Sequence, residues 1–179
     1  MIEESLDKDD LSALDIGCAD GFFTEKLAEQ GLFSIGIDHN SKRVKSASSK
    51  HRGRSCAFIE FSLDEVNVRK LPETDVSLVL AVYHHWLRSY GSEDAEEMLN
   101  VLAEKNDKIF FELPKELDEI NEDWGFELEK REEETYVELH ERYLQSLLKD
   151  SDIEFLGEIE YAAEVDRTDL MFVLKTRNI

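Results

Sequence analysis

The stretch from Leu11 to Asn40 constrains the fold more than any other part of the chain. Ser12-Ala13-Leu14-Asp15-Ile16 is an apolar run of strand length that stops at Gly17. After the turn Gly17-Cys18-Ala19-Asp20-Gly21, the residues Phe22 to Glu29 place Phe22, Phe23, Leu27 and Ala28 at helical spacing. A second apolar run, Phe33-Ser34-Ile35-Gly36-Ile37, ends on Asp38. Strand, glycine turn, helix and a strand closed by an acid form the first half of a nucleotide-type α/β site. Gly17 gives the turn unrestricted φ and leaves a ligand room to lie against the backbone. Asp38 stands where an acceptor for a pair of ribose hydroxyls is expected.

The turn selects among ligands. A dinucleotide site uses G-x-G-x-x-G, because a pyrophosphate rests on bare backbone at a helix N-terminus. Here the glycines are spaced G-x-x-x-G, with Asp15 before them and Asp20 between them. Two carboxylates repel a pyrophosphate and suit a ligand that carries an ammonium and a sulfonium. The stretch resembles the first motif of the class I S-adenosylmethionine-dependent methyltransferases, acid-x-Gly-x-Gly-x-Gly, read as Asp15, Gly17, Ala19 and Gly21. Ala19 replaces the middle glycine and adds one methyl group. The resemblance implies that Asp15, Gly17, Cys18, Ala19 and Gly21 form the cofactor turn, with Asp15 and Gly17 facing the methionine end. It places Asp38, with His39 beside it, at the ribose, and Ser62 and Leu63 around the adenine. Ser62 stands where an acid is common in that family, and Asp64 is a possible substitute.

The order of elements extends the resemblance over nearly the whole chain. Asn40 or Ser41 can cap a helix through Val44 and Ala47. Cys56 to Phe61 reads as a third strand, and Asp75 to Val82 as a central strand buried on both faces. Ala81, at its end, is expected at the cofactor. Tyr83-His84-His85-Trp86 is then expected in the loop that flanks the transferable methyl group, with Tyr83 and Trp86 as pocket walls and Tyr83 also a catalytic candidate beside the two histidines. His84 or His85 could take a proton from the acceptor, position it, or simply pack in the loop. Adjacent histidines point different ways, so at most one should face the pocket.

Ser92 is a plausible cap for a helix carrying Met98, Val101 and Leu102, and Ile109 to Leu113 is a fifth strand. The acidic segment from Pro114 to Gly125 leaves the same sheet edge and is a candidate substrate lid. Thr135-x-x-Glu138 opens another helix with a capping box. The runs Ile153 to Tyr161 and Leu170 to Leu174 match the family's closing antiparallel hairpin. The expected fold is therefore α/β: a three-layer Rossmann-like sandwich with a mostly parallel seven-stranded sheet, in one domain over residues 1–179.

Composition bounds the partners. The 179 residues carry a formal charge of −21, which opposes association with nucleic acid or anionic lipid. That charge fits either a high-salt cytoplasm or a face that docks a basic protein partner or a second copy. Lys42, Arg43, Lys45, Lys50, His51, Arg52 and Arg54 form the one basic cluster, a landing strip for RNA or a solvated helix face. No stretch approaches the roughly 20 apolar residues of a membrane helix. The two cysteines favour a reducing compartment, and a cytoplasmic location is expected. Only about ten residues precede the first strand, so the family's N-terminal lid helices are not expected, and the pocket must be closed by later loops, a partner or the substrate. The activity expected is methyl transfer to an O or N acceptor without a metal. A small-molecule acceptor is favoured, RNA is the second option, and a non-catalytic cofactor-binding subunit is a third.

Overall fold

The computed structural model describes residues 1–116, 128–161 and 167–176. The candidate lid falls largely on 117–127 and lies outside the described residues. The seven strands are β1 (Ser12–Ile16), β2 (Phe33–Asp38), β3 (Cys56–Glu60), β4 (Thr74–Val79), β5 (Asn106–Pro114), β6 (Asp152–Glu160) and β7 (Thr168–Lys175). They form one sheet in the order β3-β2-β1-β4-β5-β7-β6. The first five strands are parallel, and β7 inserts antiparallel between β5 and β6. This is the expected α/β architecture. Its strand order reverses between β1 and β4, and a ligand crevice belongs at the carboxyl ends of those two strands.

Among the described residues the α-helices are α1 (Phe22–Glu29), α2 (Ser41–Lys50), α3 (Tyr83–Tyr90), α4 (Ser92–Lys105) and α5 (Tyr136–Leu147). The central strands β1, β4 and β5 are buried on both faces. Leu14, Ile16, Val79, Ile109 and Phe111 pack in a core with Leu99 and Leu102 of α4 and Leu139 and Leu144 of α5. Ala13, Val76, Leu78 and Phe110 point the other way, toward Leu27 of α1. Alternate residues of each central strand thus feed opposite layers, which explains their unbroken hydrophobicity.

Local signals place the helix starts. The Asn40 Oδ1 accepts from the Lys42 and Arg43 amides at 3.0 and 3.3 Å. Thr135 and Glu138 form the reciprocal capping box. Residue Ser92 makes no cap; Gly91 precedes the first turn of α4, with Glu93 and Asp94 favourable to its dipole. The segment 1–10 is fastened at the amino edge of the sheet, opposite the crevice. There the Lys108 Nζ bonds Asp7 at 2.6 Å and Asp10 at 2.7 Å, while the Asp75 carboxylate accepts from the Leu11 and Ser12 amides.

Two expectations need correction. The fourth strand ends at Val79, and Tyr83 begins a helix. On that helix Tyr83 turns into the core, fully buried, with its hydroxyl 2.5 Å from that of Tyr143. It is therefore a core residue and neither a pocket wall nor a catalytic group. Phe22 and Phe23 are 55% and 43% exposed, because the first turn of α1 lies at the crevice mouth; Thr24 and Leu27 are its buried positions.

Candidate functional site

A cleft of about 950 Å³ opens above the carboxyl ends of β1, β2 and β4. Its first wall is the bend after β1. The Gly17 and Cys18 amides both donate to the Ile37 carbonyl, at 2.8 and 3.0 Å, which ties the bend to the end of β2. Gly17, Ala19 and Gly21 all have positive φ, at 74°, 47° and 80°. Every second residue of the bend is therefore left-handed, the backbone reason for the glycine spacing. A side chain on Gly17 would strike the Val82 Cγ2 at 2.6 Å, and one on Gly21 would strike the Phe58 ring. Gly21 serves the bend and does not line the cleft; Gly17, Cys18 and Ala19 do.

Two acids stand at the base of this wall. Asp15 is buried, and its Oδ2 accepts from the Thr24 hydroxyl at 2.6 Å. Desolvation raises its pKa to about 6, and Thr24 partly offsets the rise. Asp38 is also buried. Its two oxygens accept from the Ala19 amide at 3.0 Å and the Asn40 amide at 2.7 Å, so it locks the bend to the start of α2. A carboxylate offers about four lone-pair sites, so Asp38 keeps capacity for a ligand. His39 lies beside it at 3.7 Å, on the cleft surface. Cys18 is packed and inert: burial and the neighbouring acids push its thiol up to about 12.

The opposite wall brings in Ser62 and Leu63 after β3, and Ala81 after β4. Asp64 is spent on its own turn, accepting from the Val66 and Asn67 amides, and does not reach the cleft. Ala81 has φ 52°. The cleft lining thus includes two non-glycine residues with positive φ, Ala19 and Ala81, after β1 and β4. On α3, successive residues are turned through about 100°. His85 and Trp86 line the cleft, whereas His84 does not. Burial, with His85 and Arg167 nearby, lowers the His84 pKa to about 4, leaving a weak base.

Sequence reasoning missed a third wall, formed by Glu112 of β5, Ile159 of β6, Met171 of β7 and Tyr161. One signal was available. Glu112 is an acid at the carboxyl end of an apolar strand, as Asp15 and Asp38 are. Tyr161 carried no such signal, because only the antiparallel return of β6 and β7 brings it to the cleft.

The profile of a family described as a methyltransferase domain matches residues 13–105, just over half of the chain. The O-antigen chain terminator bifunctional methyltransferase/kinase WbdD of Escherichia coli is 28% identical over 107 residues, covering 58% of this chain and 15% of that protein. A WbdD crystal structure superposes with a TM-score of 0.71 at 21% identity, over 95% of this chain and 36% of that one. The magnesium protoporphyrin IX methyltransferase ChlM of Synechocystis PCC 6803, with bound SAM, gives 0.63 at 18% identity, over 93% of this chain and 70% of that one. The N-terminal domain of EvdMO1 with SAH bound gives 0.64 at 18% identity, over 94% and 76%.

Proposed function

This chain belongs to the methyltransferase-domain family, and on that premise we propose that it transfers a methyl group from S-adenosylmethionine to an oxygen or nitrogen acceptor on a small molecule. The observation that carries the reading is the pair of buried acids, Asp15 and Asp38, at a bend whose left-handed positions are held by Gly17, Ala19 and Gly21. That donor set fits a cationic ligand bearing vicinal hydroxyls. Asp15 and the Gly17 backbone would face the methionine end, Asp38 the ribose, and Ser62 and Leu63 the adenine. When bound, S-adenosylmethionine supplies a methyl group already made electrophilic by its sulfonium.

The chain's own residues are left with alignment and the exclusion of water. Ala81, Val82 and Trp86 wall the cleft beside the bend. A small acceptor is supported by the extent of the cleft and by its acidic lining. An RNA acceptor finds less support in the basic strip. His51 is buried, with Nδ1 3.0 Å from Glu25, and the Arg54 Nε lies 3.3 Å from the same carboxylate. The site lies within the cell if the expected cytoplasmic location holds; among the described residues no helix is long and apolar enough to cross a membrane.

Calorimetry with S-adenosylhomocysteine tests the cofactor assignment. Micromolar binding is expected, and no binding by the folded protein would sink it. Methylation of small acceptors from tritiated S-adenosylmethionine separates the enzyme from a non-catalytic subunit.

A further inference from the structure

The third wall of the cleft holds a polar network on an otherwise apolar floor. Glu112 is 3% exposed, and its Oε1 accepts a hydrogen bond from the Tyr161 hydroxyl. Behind it, Asp169 is fully buried and held by both ends of one guanidinium: the Arg167 Nε lies 2.6 Å from Oδ1 and the Nη2 2.5 Å from Oδ2. The same guanidinium stacks over the Tyr161 ring, 5.6 Å from its centroid. Asp169 lies near enough that its charge disfavours the ionised form of Glu112. Arg167 therefore holds Asp169 and contacts the ring of the tyrosine that bonds Glu112. Of the network, Glu112 and Tyr161 reach the cleft.

We propose that Glu112, positioned by Tyr161 and by the Arg167–Asp169 pair, is the proton acceptor of the transfer, and that the substrate it serves is a neutral O–H or N–H compound. The inference rests on the methyl-transfer reading above. In the step, an acceptor lone pair forms the bond to the methyl carbon as the carbon–sulfur bond breaks, its electrons staying on sulfur. The acceptor's own proton passes to a Glu112 carboxylate oxygen. An acceptor that arrives as an anion has no proton to give, and Glu112 would then only repel it. The rest of the lining agrees: Asp15, Asp20 and Asp38 outnumber the single guanidinium of Arg43 among the described residues.

The electrostatics suit the task. Burial and Asp169 raise the Glu112 carboxyl to about 7, against the opposing pull of Tyr161 and Arg167. A base performs best when its pKa lies near the working pH. Of the titratable groups nearby, Asp169, Tyr161 and Arg167 act on it directly, and His84 and His85 of α3 feel the same Arg167. Below about 7 the carboxyl holds its proton and the base is absent, so transfer rises with pH through that range.

The test uses the full chain with carboxyl-labelled glutamate, the Glu112 resonance being assigned by its loss in Glu112→Gln. The expected titration midpoint is near 7, moving upward in Tyr161→Phe because the phenol favours the ionised form. Phenol and benzoate, matched in size, are then offered with tritiated S-adenosylmethionine. Phenol is expected to be methylated and benzoate not. Glu112→Gln is expected to lose about 10²–10⁴-fold in rate and the rising pH limb, with S-adenosylhomocysteine affinity within about twofold. A midpoint in the ordinary carboxylate range, an unchanged rate or pH profile in Glu112→Gln, or preferential methylation of benzoate would each overturn the proposal. If neither probe reacts, the titration alone decides. Loss of S-adenosylhomocysteine binding in the wild type would instead strike the cofactor reading, leaving the Glu112 titration as a separate result.

Discussion

The two ends of the cleft are built in different ways. The bend end is made by one continuous piece of chain, Asp15 to Asn40, hydrogen-bonded to itself: Gly17 and Cys18 to Ile37, Ala19 and Asn40 to Asp38. The Glu112 end is assembled from distant segments, with 49 positions separating Tyr161 from its carboxylate partner. The bend is specified by backbone conformation, where a single Cβ matters. The Glu112 wall is specified by strand order and by charge. Substitutions should therefore affect stability and cofactor affinity at the first end, and pH dependence and acceptor choice at the second.

The sharpest contrast is in stability. Gly21→Ala forces a side chain into a left-handed residue at φ 80° and against the Phe58 ring. Strain and overpacking together should cost about 2–4 kcal/mol. In a chain of this size that lowers Tm by roughly 5–15 °C. Tyr161→Phe, which removes one half-exposed hydroxyl at the other end, should cost less than about 1.5 kcal/mol. Equal shifts of Tm in the two variants would erase the distinction.

Cofactor affinity comes next. Asp38→Ala removes the proposed ribose contact and frees the Ala19 and Asn40 amides it holds. Binding of S-adenosylhomocysteine should weaken by about 1.5–3 kcal/mol, the scale of charge-assisted hydrogen bonds. Calorimetry that found Asp38→Ala and Glu112→Gln equally impaired would mean the cleft does not divide as described.

Protonation gives a third, smaller test. Asp15, raised to about 6, and Glu112, raised to about 7, both hold protons more tightly in the folded than in the unfolded chain. Between the ordinary carboxylate range and those values the folded state binds more protons, so stability falls as pH rises through the window. Below the window both states are protonated and the penalty is absent. Glu112→Gln should flatten the upper part of the decline, nearest pH 7, and leave the part due to Asp15. Denaturant midpoints taken from pH 4 to pH 8 would reveal it; an unaltered slope in Glu112→Gln would contradict the assignment.

This division also accounts for what could be read from the chain. Strand, bend, helix and acid are local patterns, and from Ser12 to Asp38 each element begins or ends where the apolar run, the glycine or the cap requires. The misplaced residues sit where local pattern is silent. Tyr83 follows an unbroken apolar run, and nothing in Leu80-Ala81-Val82 announces that the strand has stopped at Val79. The positive φ of Ala81 makes that break, and alanine gives no warning of it. Once α3 is a helix, the tyrosine falls inward toward Tyr143, on a helix 60 positions away. Glu112 was legible as an acid at a strand end, but its partners Tyr161 and Arg167 needed the antiparallel pairing of β6 and β7 before they could be placed.

Ala19 provides the finest test, because two opposing terms of similar size meet in one methyl group. At φ 47° an L-residue carries about 1–2 kcal/mol of strain that glycine escapes. Against this, glycine gains conformational freedom in the unfolded chain, worth about 0.4–1 kcal/mol. Ala19→Gly should therefore be neutral to stabilising, raising Tm by roughly 0–5 °C. Its amide still reaches Asp38, so affinity for S-adenosylhomocysteine should hold within about threefold. A fall in Tm of several degrees would mean that the Ala19 methyl packs favourably enough to outweigh its strain. The bend would then be held by side-chain contacts, as the Glu112 wall is, and the contrast between the two ends would be one of degree.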